Sequence, residues 1–232
     1  MKCGVWDDEG KIIFHEVTCK IPYETIGELK RLHDVDKVIV CSVKGSEEAV
    51  RKELEKYAGN GTVIFDMNEI SCYRDRIDYS SGIGADRIAA FLGAERIYPG
   101  TAKLIIDAGT AITLDVADED GVFRGGDISL GLTGRLNALH SGTALLPNIE
   151  VKGVDSPFGH DTESAILNGA LYGILGEMIF AIERARKYYN IERTILTGGD
   201  GAIFTHMLKE HGYECAYDAL LVEKGLDCHL RA

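Results

Sequence analysis

Residues 107–115 read DAGTAITLD and follow directly on the apolar residues 104–106. Gly109 allows a close backbone approach or a positive φ, and the threonines of this stretch add hydroxyl groups. Backbone N–H groups in such a turn can bind phosphate oxygens, and the carboxylate of Asp107 at a strand end can hold a cation that screens phosphate charge. A plain β-hairpin with a glycine turn explains the same residues about equally well on spacing alone.

A second glycine-rich strand end, LTGGDG, occupies residues 196–201. In a two-lobed α/β fold the glycine backbone here could lie against a nucleoside. An ordinary strand-to-helix turn is the competing explanation for this segment by itself. Two such strand ends in one chain favour a nucleotide-binding fold over a plain hairpin.

Residues 84–87, Gly-Ala-Asp-Arg, open a predicted helix. An acid in the first helical turn is stabilised by the helix dipole whatever its function, which is the structural alternative for Asp86. The functional hypothesis is that Asp86 accepts the proton of a substrate hydroxyl while Arg87 binds a substrate anion. Phosphoryl transfer suits this pair because it depends mainly on positioning and charge neutralisation.

The order of the predicted elements gives an α/β chain with two related halves and a cleft between them. Pro99-Gly100 is a turn signal that divides the chain into a first domain, 1–100, and a second domain, 101–232. Residues 71–83 are predicted to form a loop. The pattern predicts strands at 12–17, 37–43, 62–65, 102–107, 111–117, from 122, 194–197 and 213–217, and helices at 23–32, 46–57 with Ser46 as N-cap, 84–97, 130–141, 162–190, 202–211 and from 219.

The composition bounds the class of protein. The chain has 232 residues, 45% of them hydrophobic, and a formal net charge of −12, which argues against nucleic-acid or anionic-membrane binding because both need a basic face. Its six cysteines form no CxxC pair, so a zinc site has little support and reduced thiols in a cytoplasmic protein are expected. The start of the chain has no apolar core of signal-peptide length.

Five short motifs in a fixed order resemble the type III pantothenate kinase family of the actin-like ATPase superfamily. Each motif alone is weak, but five in the right order are specific. The motifs are GADRIAA at 84–90, the stretch 105–113, FRGGDI at 123–128, TALLP at 143–147 and GHDTESAI at 159–166. The resemblance implies two ribonuclease H-like domains and ATP-dependent phosphorylation of pantothenate to 4'-phosphopantothenate, the first step of coenzyme A biosynthesis.

The resemblance also implies roles for individual residues. Asp86 would be the proton acceptor, and Asp107 would hold a monovalent cation, K⁺ or NH₄⁺. ATP, accompanied by Mg²⁺, would be bound through Gly109 and Thr110, and a homodimer is expected. The pantothenate pocket would be formed by Tyr79, Gly84, Ala85, Asp86, Arg87 and Thr162, although Thr162 could equally be the N-cap of its helix.

Two departures from the family pattern bear on activity. Leu130 stands where the family has a proline. The family also begins with a strand that ends in D-x-G-N-T, the first phosphate loop, whereas this sequence begins at what resembles the next strand. Either the start site is misassigned and the natural protein is longer, or this is a shortened homologue. For the sequence as it stands we expect a first domain without its N-terminal strand and weak or absent kinase activity. A non-catalytic accessory homologue is the alternative, and another actin-like sugar or acid kinase is disfavoured by the segment at 84–87.

Overall fold

A computed structural model describes residues 2–6, 9, 11–17, 21–33, 35, 37–41, 47–58, 62–151 and 156–231. The chain forms two compact units, Met1–Tyr98 with Leu220–Ala232, and Pro99–Ala219. The strands are β1 (Lys2–Trp6), β2 (Ile12–Val17), β3 (Val38–Val40), β4 (Thr62–Ile64), β5 (Lys103–Ala108), β6 (Ala111–Ala117), β7 (Phe123–Leu130), β8 (Arg193–Thr197) and β9 (Ala216–Tyr217). The helices are α1 (Tyr23–His33), α2 (Glu47–Ala58), α3 (Met67–Ile70), α4 (Ala85–Ile97), α5 (Leu132–Gly142), α6 (Thr162–Tyr189), α7 (Gly201–Glu210) and α8 (Leu221–Arg231).

The first unit contains two small sheets. β1 pairs with β2 in antiparallel fashion, and β3 pairs with β4 in parallel. A small apolar cluster joins α1, α2 and β4 through Ile26, Leu54 and Ile64. The predicted loop at 71–83 is wrong in its first half, because Ser71–Arg76 form a 3₁₀ helix that continues directly from α3. The predicted N-cap Ser46 lies outside the described residues.

The closing helix α8 belongs to the first unit, which corrects the predicted second domain of 101–232. Its amphipathic pattern predicts a buried face but cannot say which surface covers that face. The structure packs α8 against α4, where Gly93 and Gly225 let the two backbones approach closely. The second unit therefore ends at Ala219.

The second unit is built on a five-stranded mixed sheet in the order β7-β6-β5-β8-β9. The predicted strands at 102–107 and 111–117 are confirmed as the antiparallel pair β5 and β6, and β8 adds in parallel to β5. The alternating side chains Leu104, Ile106 and Ala108 of β5 pack with α6 in one apolar core. This sheet brings the ends of β5 and β8 side by side.

The helix α6 is the central core element of the second unit. Within the described part of the chain, α6 is the one helix long and apolar enough to cross a membrane by length and composition. More than half of its most apolar stretch is buried, as expected of a core helix. Side chains such as Ile174, Met178 and Ile182 are fully enclosed.

Candidate active site

The start of α4 in the first unit holds the carboxylate of Asp86 in one orientation. Its Oδ1 accepts a hydrogen bond from the backbone N–H of Arg87 at 2.9 Å. The same oxygen lies over Gly84, where a Cβ atom would come within 2.5 Å of it, so a larger residue there would displace the carboxylate. Asp86 Oδ2 has no hydrogen-bond partner in the described part of the chain, which leaves one carboxylate oxygen for a ligand.

Arg87 is held by the aromatic ring of Tyr79. The side chain of Arg87 is 5% exposed, its guanidinium lies 5.3 Å from the centre of the Tyr79 ring, and Nη1 donates a long hydrogen bond of 3.5 Å to the Tyr79 hydroxyl. A guanidinium over an aromatic face is attracted by the ring quadrupole. The predicted residues Tyr79, Gly84, Ala85, Asp86 and Arg87 are therefore brought together.

Cys41 is a neighbour of this group that the sequence did not predict. It follows β3 and is a free thiol. Burial, with a smaller contribution from the negative charge of Asp86, raises the pKa of the Cys41 thiol to about 12. The thiol is therefore neutral at physiological pH and adds no second negative charge beside Asp86. A lone cysteine after a short strand gives no signal of this proximity in the sequence.

Asp107 in the second unit lies at the end of β5, opposite Thr113 of β6 and Thr197 of β8. Its Oδ1 lies close to two glycines: a Cβ atom would be 3.6 Å away if built on Gly109 and 2.4 Å away if built on Gly198. Gly109 does not have the positive φ that was predicted as one option. A Cβ atom at Gly109 would make only ordinary van der Waals contacts. The glycine that the carboxylate requires is Gly198.

The turn from β5 to β6 is closed by its own backbone and by the end of β7. The N–H of Gly109 donates to the carbonyl of Ala111 at 3.0 Å, so this amide is already bonded. The N–H of Gly131 donates to the carbonyl of Thr110 at 3.1 Å, and a Cβ on Gly131 would lie 2.0 Å from the carbonyl oxygen of Gly109. The Thr110 side chain remains exposed for a ligand. Leu130 replaces the family proline without disturbing this contact.

The glycine-rich segment after β8 folds onto the end of β5. Gly198 has a φ of +89°, and the N–H of Asp200 donates to the carbonyl of Ala108 at 2.9 Å. The Tyr217 hydroxyl donates to the carbonyl of Gly198 at 3.3 Å. A Cβ atom on Gly199 would have no heavy atom within 4 Å, so the backbone of this residue is open to a ligand. Burial raises the pKa of the Asp200 carboxyl.

The first turn of α6 places Thr162 at the surface of the second unit. Asp161 is the N-cap, and its carboxylate accepts from the N–H of Ser164 at 2.8 Å in a reciprocal capping box. Thr162 as the N-cap is therefore wrong, because the acid one residue earlier takes that position. The Thr162 hydroxyl is exposed and is not needed to cap the helix.

Two further observations bear on cofactors. The described residues contain no group of three or more His, Cys, Asp or Glu side chains that could hold a metal ion. A cavity of about 430 Å³ lies between β7 and the last turns of α6, lined by Leu114, Arg124, Arg184 and Tyr188 among others, and none of the predicted site residues line it.

Two solved structures described as kinases have similar folds. The chain superposes with a TM-score of 0.63 on a Sinorhizobium meliloti protein described as a 2-dehydro-3-deoxygalactonokinase, at 14% identity, covering 99% of this chain and 94% of the other. The score is 0.50 for the inorganic polyphosphate/ATP-glucomannokinase of Arthrobacter sp. strain KM, at 14% identity with 100% and 94% covered. The fold is that of the actin-like ATPases and sugar kinases, as predicted.

Sequence comparison is more specific. The chain is 43% identical over 230 residues to the type III pantothenate kinase of Azobacteroides pseudotrichonymphae, which covers 98% of this chain and 90% of the relative. It is 33% identical over 190 residues to that of Porphyromonas gingivalis, with 80% and 77% covered. The profile of type III pantothenate kinases matches residues 18–184. The chain belongs to the type III pantothenate kinase family.

Proposed function

We propose that the chain transfers the terminal phosphoryl group of ATP to the primary hydroxyl of pantothenate, giving 4'-phosphopantothenate and ADP. The observation that carries this proposal is the carboxylate of Asp86, with Oδ1 fixed by a backbone N–H and Oδ2 without a protein partner among the described residues. Family membership supplies the substrate pair. The hydroxyl oxygen attacks phosphorus, the bond to the ADP oxygen breaks, and the hydroxyl proton passes to Asp86.

Asp86 suits the part of proton acceptor because only one of its oxygens is occupied. The bonded Oδ1 holds the carboxylate in place, so that Oδ2 can accept from a substrate hydroxyl without losing its orientation. The neutral thiol of Cys41 beside it adds no competing negative charge. In the proposal, Gly84 and Ala85 line the pantothenate pocket around this carboxylate.

The pantothenate carboxylate is assigned to Arg87 in this proposal. Arg87 is nearly buried, and the Tyr79 ring holds its guanidinium, so the positive charge is fixed before the substrate arrives. A preorganised guanidinium recognises a carboxylate with charge-assisted hydrogen bonds. Thr162, whose hydroxyl is released from capping by Asp161, is proposed as a further contact to pantothenate.

ATP is assigned to the turn at Gly109 and Thr110 and to the open backbone at Gly199. Mg²⁺ is proposed to arrive with the nucleotide, because this ion keeps waters and binds substrate phosphates rather than all-protein cages. The monovalent cation is assigned to Asp107, where it would screen the charge of the phosphates.

The test is a kinase assay with the full chain, ATP, Mg²⁺, KCl and pantothenate, with 4'-phosphopantothenate detected by mass spectrometry. We expect Asp86→Asn to lower kcat by roughly 100-fold or more while the protein stays folded. Asp75→Asn, a change at an exposed acid of the same unit, is the matched control and should retain activity. We expect a slow reaction from the unmodified chain; no product at all, or an active Asp86→Asn, contradicts the proposal.

The same proposal includes a homodimer in the cytoplasm. On α6 the exposed aromatic side chains Tyr172 and Phe180 flank Gly169 and Gly176, which have nothing within 4 Å of a Cβ position. Small residues beside exposed aromatics allow another helix to approach closely, and a second copy of this chain is the proposed partner. Cys41, Cys72, Cys215 and Cys228 are free thiols, as a reducing compartment would keep them.

A further inference from the structure

Thr197, the last residue of β8, has a completely enclosed hydroxyl. Its side chain is 0% exposed, and Oγ1 has no hydrogen-bond partner within the described ranges of the chain. Folded proteins seldom leave a buried hydroxyl unsatisfied, because the group gives up its hydrogen bonds to water on folding. Such a hydroxyl points to a ligand.

The strand register places this hydroxyl beside Asp107. Asp107 and Thr197 are direct partners in the parallel pairing of β5 with β8. Register partners project to the same face of the sheet, and neighbouring strands are about 4.8 Å apart. Thr197 Oγ1 nevertheless makes no hydrogen bond to the Asp107 carboxylate. The two groups are therefore neighbours on one face of the sheet.

Backbone geometry brings one further oxygen, the carbonyl of Ala108, to this point. A Cβ atom on Gly198 would lie 2.3 Å from the carbonyl oxygen of Ala108 and 2.4 Å from Asp107 Oδ1. Only glycine lets both oxygens come this close to the end of β8. Carboxylate, carbonyl and hydroxyl oxygens together form the donor set that hard cations prefer.

We propose that Thr197 is a ligand of the monovalent cation assigned to Asp107, with its hydroxyl oxygen coordinating the ion. The proposal rests on the proposed function only for the kind of cation, K⁺ or NH₄⁺. Its observations are the enclosed hydroxyl, the register with Asp107 and the approach that Gly198 permits. None of these residues is needed to accept the substrate proton, so the cation site can be tested apart from catalysis.

The test compares thermal unfolding of the full chain, without ATP, in KCl and in choline chloride of equal ionic strength. We expect K⁺ to raise the Tm of the unmodified chain by roughly 3 °C, since a ligand that binds only the folded state stabilises it. Thr197→Val should be at least as stable as the unmodified chain in choline chloride, because it removes an unsatisfied polar group, and it should lose the rise in KCl. Thr197→Ser should keep the rise.

Thr205→Val is the matched control. Thr205 is also buried in the second unit, but its hydroxyl donates to the carbonyl of Gly201 at 2.7 Å. This variant should be less stable in both salts and keep the full K⁺ effect. If Thr197 has a purely structural role, Thr197→Val will also be less stable in both salts and keep the full K⁺ effect. That result would overturn the proposal.

Two other outcomes also overturn it. One is an unmodified chain whose Tm is the same in both salts, and the other is a Thr197→Val variant with the full rise in KCl. Because the readout is stability without ATP, either result leaves the kinase assay with Asp86→Asn to decide the proposed function separately. If Asp86→Asn loses activity while Thr197→Val keeps the full K⁺ effect, Thr197 is not a cation ligand and the proposed kinase function stands.

Discussion

Gly225 of α8 lies directly against the carbonyl oxygen of Ala89 of α4, which a Cβ atom on Gly225 would approach to 1.8 Å. Gly93 makes the reciprocal contact, with its Cβ position 2.0 Å from the carbonyl oxygen of Leu221. The two helices therefore cross with their backbones touching. Because α4 begins one residue before Asp86, this crossing supports the helix that carries the proposed proton acceptor.

We expect Gly93→Ala and Gly225→Ala each to lower the free energy of unfolding by about 2 kcal/mol or more, because the added methyl overlaps backbone atoms that cannot move aside. Urea unfolding followed by circular dichroism measures this. Gly142→Ala is the control, since nothing lies within 4 Å of its Cβ position. Alanine variants at the crossing as stable as this control would show that the helices can separate without cost.

The elements of the second unit follow closely from the sequence, and the reason is local. The strands 102–107 and 111–117 have β-branched apolar residues bounded by turn residues, and the long apolar pattern from Thr162 allows little but a core helix. The partner of α8 could not be predicted in this way. Its pattern shows one buried face, while Gly93, which receives that face, lies more than a hundred residues earlier.

The candidate site shows the same contrast between residues that local sequence identifies and residues that only packing identifies. Asp86, Arg87 and Asp107 stand in short motifs, so the sequence points to them directly. Thr197 and Cys41 enter the proposed site through neighbours that only strand pairing and packing supply: Asp107 across the register for Thr197 and the charge of Asp86 for Cys41. A threonine at the end of an apolar strand and a cysteine after another carry no such information in themselves.

The ring of Tyr79 should matter for pantothenate binding more than its hydroxyl does. Tyr79→Leu removes the cation–π contact with Arg87, worth about 1 kcal/mol, and should raise the KM for pantothenate about fivefold with little change in kcat. Tyr79→Phe keeps the ring and gives up the long 3.5 Å hydrogen bond from Arg87, so its KM should stay close to that of the unmodified chain. Steady-state kinetics with varied pantothenate distinguish the two; equal KM values for Phe and Leu would mean that the ring does not hold Arg87.

Two adjacent glycines should respond differently to alanine. Gly198 has a φ of +89° and lies against Asp107 and Ala108, so Gly198→Ala should cost at least about 1 kcal/mol of stability and displace the carboxylate. Gly199→Ala meets no protein atom, so its stability should be unchanged while its KM for ATP rises if a nucleoside lies on this backbone. Melting curves and ATP kinetics on both variants test this. If the KM for ATP is unaltered in Gly199→Ala, the nucleoside does not lie against the Gly199 backbone.

Asp118 should make the stability of the second unit depend on pH. Burial raises the pKa of its carboxyl, but hydrogen bonds from the N–H of Val122, the Arg124 guanidinium and the N–H of Asp120 outweigh burial and hold the pKa below its ordinary value. A carboxyl with a lowered pKa in the folded state contributes stability above its unfolded pKa, and this contribution is lost as pH falls through the folded pKa.

Asp118→Asn should therefore be less stable by about 2 kcal/mol at pH 7, with a difference that shrinks as pH falls below about 4. Unfolding of Asp118→Asn and of the unmodified chain, measured at pH 7 and below about pH 4, gives the comparison. Asp120→Asn, an exposed acid in the same turn, should show no such dependence. A constant difference between Asp118→Asn and the unmodified chain at the two pH values would place the effect in packing rather than in charge.

The exposed face of α6 gives a direct test of the proposed dimer. Phe180 is 69% exposed and lies within about 40° of Gly176 around the helix axis, counting about 100° per residue. Phe180→Asp places a charge on this face, so we expect a monomer by light scattering, with little loss of stability in the subunit because the side chain is not part of its core. Tyr188→Asp is the matched control: Tyr188 is 68% exposed on the same helix but is turned away from Phe180 by roughly 80°. Tyr188→Asp should leave the dimer intact. If Phe180→Asp and Tyr188→Asp have the same mass in solution, the interface does not lie on this face of α6.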